Sequence, residues 1–279
     1  MKNDQNHVWI QDNTWQEVRD YLKKKDIIVL PVGSTEQHGP AAAVGLDAYV
    51  AIYLAEDLAK EKGLLVAPPV WYGDSQHHQA FPGTISVKSV VFIEYLKDIL
   101  RNLIGQGFKK IILINGNKVA NLPTMQIATK EVHEYDFPES VLAIADPWKI
   151  ARGIAPSLKG ETIEHHGGVL EVSELLYKRP DLVKKDKLNS NTIDYEAIFS
   201  PWGLYDLFGA PHNPGKDGID IAWNSKEEKA IVPEGQFSDN SRVSEEIGKK
   251  YHEYMLKTLG EFVDWLEKYK GPIGKADKK

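Results

Sequence analysis

Four short, unbroken apolar runs constrain this chain more than any other feature: IIVLPV (27–32), LLVAPPV (64–70), KKIILIN (109–115) and VLAIAD (141–146). Runs of this length without polar alternation are expected of strands covered on both faces, as in a parallel sheet. Helical periodicity fills the gaps, at about 47–62, at about 89–104 and at about 121–135. In the second of these, Phe92, Tyr95, Leu96, Ile99, Leu100 and Leu103 share one side. Ahead of the first run, Thr14 and Glu17 stand at capping-box spacing, with Trp15, Val18, Tyr21 and Leu22 at helical spacing behind them. Strand and helix alternate, which predicts parallel βαβ units with right-handed crossovers and hence an α/β fold with a mostly parallel central sheet.

From 147 to 240 the texture changes to tryptophans, glycines and prolines with few periodic runs, apart from a helix expected at about 168–178. No polar linker separates this stretch. It is therefore read as loop-rich insertions over the working edge of one domain spanning 1–279. Residues 241–271 form a long amphipathic helical pattern, followed by a lysine-rich tail expected to fray. No internal repeat is visible.

A chain of 279 residues with 42% apolar and 27% charged residues is long enough to bury a sizeable core and is neither disordered nor fibrous in composition. Its net charge of −6, with scattered basic residues, argues against a nucleic-acid partner. The absence of cysteine removes thiolate ligands, so any metal must be held by His, Asp, Glu or neutral oxygen donors. No run reaches the roughly 20 apolar residues of a membrane span, and the first residues lack the apolar core of a secretory signal. No membrane association and a cytoplasmic location are the expectations.

Parallel sheets bind ligands at the carboxyl ends of their strands. Here those ends carry Glu36 and His38, then Asp74, His77 and His78, then Asn115 and Asn117, and finally Asp146. Glu36 and His38, two positions apart, are read as pointing to opposite sides. Glu36 and His38 would then suit two adjacent ions, with Asp47 bridging them, although Asp47 could also be a plain helix N-cap. An oxygen and nitrogen donor set of this kind suits Zn²⁺ or Mn²⁺, which activate water and polarise carbonyls.

The stretch VLPVGSTEQHGPAAAVGLDAYVA (29–51) resembles the signature of the creatininase (creatinine amidohydrolase) family. HHQAFPGTISV (77–87), ILINGN (112–117) and EHHGGVLEVS (164–173) are similar to that family's later motifs, in the same order. The resemblance implies a three-layer α/β/α fold and a centre of one or two divalent ions, in which Glu36 and Asp47 hold one metal and His38 and Asp47 the other. It implies Glu171 as a further ligand, with His166 beside the substrate as general acid or base. His165 competes with His166 for that role. His78 would line the pocket, unless it is an ordinary loop histidine. Trp148 and Trp202 are candidates, with Trp223, for an aromatic floor under a ring. A homo-oligomer, often a hexamer, is implied as well.

Two departures from the family pattern bear on function. Asn117 stands where the third motif usually has a histidine ligand, and Lys118, Val119 and Ala120 replace the usual following residues. An amide oxygen is a weaker zinc donor than imidazole. Ala41, Ala42 and Ala43 thin the wall behind the site. The leading expectation is a metal-dependent hydrolase that opens a small cyclic substrate by water attack on a carbonyl, with C–N cleavage as the family chemistry. The alternatives are C–C ring opening of an oxidised cyclitol and a ligand-binding pseudoenzyme with a degraded metal site.

Overall fold

The computed structural model describes residues 7–118, 120–190 and 224–270. Strand β1 (Ile27–Val32) is buried along its whole length, with β2 (Leu65–Val66) on one side and β3 (Lys110–Asn115) on the other. Strand β4 (Val141–Ala145) completes the order β2-β1-β3-β4, and every pairing is parallel. The alternation of side chains along these strands makes two cores. Ile27 and Val29 of β1 and Ile112 and Ile114 of β3 face one layer of helices, while Ile28, Leu30, Ile111 and Leu113 face the other. The three-layer α/β/α expectation is met.

The first layer contains α2 (Leu46–Lys62), α7 (Val169–Lys178) and α9 (Glu245–Lys268). The second contains α3 (Ser89–Gln106) and α4 (Asn121–Glu131), with side chains of α1 (Trp15–Leu22) packed against it. Three short helices, α5 (Pro147–Ile150), α6 (Ala155–Lys159) and α8 (Ser225–Ile231), lie in the region read as loop-rich. The capping box at Thr14 and Glu17 forms as expected, with the Thr14 amide donating to Glu17 at 2.7 Å.

Several local expectations are corrected. The second apolar run yields only two strand residues, because Pro68 and Pro69 have no amide hydrogen to continue a ladder. Val70 then makes an isolated bridge to Val32. Strand β4 is half-exposed over Val141–Ile144, since it is the edge strand among the described residues. Tyr95 and Trp15 face solvent rather than the core. The C-terminal helix starts at Glu245, capped by Ser244, and not at 241. The tail beyond 270, Trp202 and Trp223 lie outside the described residues.

Glycines at two strand ends let α2 approach the sheet edge. A Cβ on Gly33 would stand 2.3 Å from the Ala48 Cα, and one on Gly116 would stand 1.9 Å from the Asp47 carbonyl oxygen. The first turn of α2 is thus pressed against the ends of β1 and β3, which fixes Asp47. Asn121, at the start of α4, ties the neighbouring loops by accepting from the Asp74 amide at 2.8 Å and donating to the Gly33 carbonyl at 3.0 Å.

Candidate metal centre

Glu36 and His38 sit in the loop after β1, Asp47 in the first turn of α2, and Asn117 and Lys118 in the loop after β3. His166 precedes α7, Glu171 lies in its first turn, and His78 ends the short 3-10 turn Gln76–His78. Their donor atoms converge. Glu36, His38 and Asp47 each offer an atom within 4.8 Å of the others, and so do His38, His166 and Glu171, and Glu36, His78 and His166.

The expectation that Glu36 and His38 point to opposite sides is corrected: side chains alternate along extended chain, so residues two apart share a side, and the two offer donor atoms within 4.8 Å of each other. The loop turns, with Gly39 at φ 69°, and His38 Nδ1 lies 3.0 Å from the Glu36 carbonyl oxygen. A carbonyl only accepts, so Nδ1 carries the hydrogen and Nε2 presents a lone pair. That lone pair faces Asp47 Oδ1 at 3.1 Å. Two acceptors at this distance need a proton or a metal cation between them. His166 repeats the logic. Its Nε2 donates to the Gln37 carbonyl in a very short contact, leaving Nδ1 3.5 Å from Glu36 Oε1. His78 Nε2 approaches the same Glu36 oxygen at 3.3 Å, and its Nδ1 pairs closely with Glu228 of α8.

Burial, then the neighbouring Asp47, pushes Glu36 up to about 8. Burial likewise raises Asp47. Burial opposes charge on His38 too, but Asp47, Glu171 and Glu36 outweigh it and push this imidazole up to about 9. Without a cation the cluster therefore retains protons, the behaviour expected of a buried ligand set. His166 is held well below the ordinary value, first by burial and then by His78 and His38. It is a neutral imidazole at neutral pH.

Asn117 is buried with its amide nitrogen 2.8 Å from Glu36 Oε2 and 3.0 Å from Asp47 Oδ2. The amide donates to both carboxylates and aims their remaining oxygens. Glu171 accepts from the Gly167 amide in a short bond and from the Gly168 amide at 3.2 Å, and its Oε2 pairs with Lys118 Nζ at 2.5 Å. His165 stacks on Phe237, with ring centroids 5.0 Å apart, and burial lowers it to about 3. Trp148 is a core residue beside Tyr251, and the Lys118 ammonium lies over its ring at 3.4 Å. Asp47 is not the N-cap of its helix, a position held by Gly45. Asp74 and Asp146 turn to local tasks, accepting from Ser89 Oγ at 2.6 Å and from the Trp148 amide at 3.2 Å.

Sequence reasoning missed three participants. Gln37 donates to the Gly235 carbonyl at 3.0 Å and stands beside His78 and His166. Glu228 arrives from a charged helix with nothing to mark it. Lys118 was visible only as a departure from a motif.

The model of the creatinine amidohydrolase family matches residues 11–263. The chain belongs to the creatininase family and is a hydrolase. It is similar to a 3-dehydro-scyllo-inosose hydrolase of Thermotoga maritima, 32% identical over 291 residues, covering 96% of this chain and 86% of that protein. It is also similar to a creatinine amidohydrolase of Pseudomonas putida, 30% identical, covering 75% of this chain and 83% of that one. The manganese form of a creatininase shares the fold at a TM-score of 0.73 and 23% identity, over 93% of this chain and 98% of that structure. No described helix is long and apolar enough to cross a membrane.

Proposed function

We propose that this member of the family opens a small cyclic carbonyl compound by adding water to the carbonyl, in a site built around Glu36, His38 and Asp47. The observation that carries this reading is the lone pair of His38 Nε2 facing Asp47 Oδ1 at 3.1 Å in a buried pocket, which fits a divalent cation such as Zn²⁺ or Mn²⁺. Such an ion, when bound, supplies Lewis acidity to a water and a carbonyl. The chain's own groups do the rest. Asn117 orients Glu36 and Asp47. His166, neutral and anchored through Nε2, has Nδ1 free to take a proton and return it to the departing atom.

Creatininase-type chemistry breaks a C–N bond. A second reading, C–C ring opening of an oxidised cyclitol, is supported by the Thermotoga relative, whose match extends over 96% of this chain. Both reactions add water to a ring carbonyl, so the same residues serve either. The test is direct: chelator-stripped protein is reloaded with Mn²⁺ or Zn²⁺ and given creatinine or 3-dehydro-scyllo-inosose, with ring opening followed by NMR. Metal-dependent turnover of either compound supports the hydrolase and decides the bond. If neither opens while the metal is bound, the substrate class is wrong. The protein assembles as a homo-oligomer in this reading, with a hexamer as the expected state, and light scattering measures it.

A further inference from the structure

Among the donor sets, Glu36 with His38 and Asp47 adjoins His38 with His166 and Glu171 through the shared His38. Of these two, it is the first that is open to an ion. In the second, Glu171 is already engaged on both oxygens, by loop amides on Oε1 and by Lys118 Nζ at 2.5 Å on Oε2. Lys118 is itself held from three directions, since Nζ also donates to the His165 carbonyl at 2.9 Å and lies 3.4 Å from the Trp148 ring centroid. Its side chain is 11% exposed, and that of Glu171 1%. This is a fixed buried cation, not a surface lysine that swings away.

Resting on the hydrolase reading above, we propose that the Lys118 ammonium takes the place of a second metal ion, so that the centre operates with one divalent cation. Charge supports this. Glu36, Asp47 and Glu171 carry three negative charges when ionised, and one divalent ion with one ammonium balances them. A second divalent ion on Glu171 would stand beside the ammonium in a desolvated pocket, where like charges repel strongly. Asn117 completes the replacement, because its amide hydrogens satisfy Glu36 Oε2 and Asp47 Oδ2 where a second cation would draw on them. Lys118 is in this sense a positioning residue, fixing Glu171 and through it the loop before α7.

The experiment counts ions. Full-length protein is stripped, reloaded with excess Mn²⁺, desalted and analysed for metal by mass spectrometry, and for coupling between ions by electron paramagnetic resonance. Wild type is expected to hold one Mn²⁺ per chain with an uncoupled six-line signal. Lys118→Met, which keeps the chain length and removes the charge, is expected to take up a second ion and show spin coupling. Lys118→Arg, which keeps the charge, is expected to remain at one. Two coupled ions in wild type overturn the proposal without recourse to any variant, and so does a Met variant that folds by circular dichroism and still binds one. Binding of no ion by any of the three proteins instead overturns the hydrolytic metal centre on which the proposal rests.

Discussion

Two clusters of charged residues among the described helices and loops are solved in opposite ways. Beneath the metal centre, Asp57 of α2, Glu174 and Lys178 of α7 and His252 of α9 join the helical layer. His252 Nδ1 meets Glu174 at 3.0 Å, its Nε2 meets Asp57 at 2.9 Å, and Lys178 pairs closely with Asp57. Both ring nitrogens face carboxylates, so an imidazolium donates twice and two positive groups answer two negative ones. At the metal centre the histidines are instead pinned by backbone carbonyls, His38 by that of Glu36 and His166 by that of Gln37, and turn lone pairs toward carboxylates. The first cluster is complete as folded. The second leaves lone pairs facing carboxylates that a proton or a metal cation must bridge, and that difference separates a structural network from a candidate site.

The sharpest way to break the comparison is Asp47→Asn. The variant keeps shape and can still accept from Asn117, but the charge facing His38 Nε2 is gone. Activity is expected to fall about a thousandfold or more, the scale on which a preorganised electrostatic group acts in a dry site, and metal retention should be lost with it. The metal-free variant should be no less stable than metal-free wild type, and by roughly 1 kcal/mol more so, since buried like charges have been reduced. Metal analysis, steady-state rates and thermal melts of the stripped proteins check this. A variant that keeps its ion and its rate would show that Asp47 is no more than the first turn of a helix.

The same contrast explains how much could be read in advance. Buried parallel strands are continuous apolar runs, so β1 and β3 stand out in sequence, and the half-exposed edge strand β4 keeps an apolar run as well. The 64–70 run did not become a full strand because prolines withhold ladder hydrogens, a local chemical fact that periodicity overlooks. Glu36, His38 and Asp47 were legible because they crowd one strand end within twelve positions. Lys118, Gln37 and Glu228 were not, because their roles depend on which loops the crossovers return to the edge. The Asp57, Glu174 and His252 network left no local mark either, since its members lie on three helices and meet only after the layer has packed.

Gly116→Ala attacks the backbone that delivers Asp47, and its effect should be smaller. The added Cβ would stand 1.9 Å from the Asp47 carbonyl oxygen, with the Asp47 carbonyl carbon at 2.8 Å, so the first turn of α2 must back away from β3. An overpacked contact of this kind costs about 1–3 kcal/mol. Displacing a ligand without deleting it is expected to weaken metal binding by roughly 10–100-fold, as loss of a supporting contact does. Titration with Mn²⁺ and denaturant melts measure both. An unchanged metal affinity alongside a lowered stability would mean that the close approach serves packing alone.

His252→Gln tests the other cluster, and here the expected loss is one of stability with metal content and rate unchanged. Glutamine can satisfy at most part of the pairing to Glu174 and Asp57, and since Asp57 is partly exposed, a loss of about 2 kcal/mol is expected rather than the larger figure for a fully buried ion pair. In a chain of this size that corresponds to roughly 4–8 °C in melting temperature. Burial opposes charge on His252, but the hydrogen bonds to Asp57 and Glu174 outweigh it and raise its pKa above the ordinary value near 6.5. A raised histidine contributes stability that is fully present below its unfolded value and is lost as pH rises through the folded one. Asp57, lowered by His252 and Lys178 against the opposing effect of burial, contributes above the ordinary carboxylate value and fades in acid. The gap between wild type and variant should therefore be widest at about pH 5–6, between the ordinary carboxylate and imidazole values, and shrink as pH rises through the raised His252 value. A gap independent of pH would show that His252 acts by filling space between α2, α7 and α9 and carries no charge there.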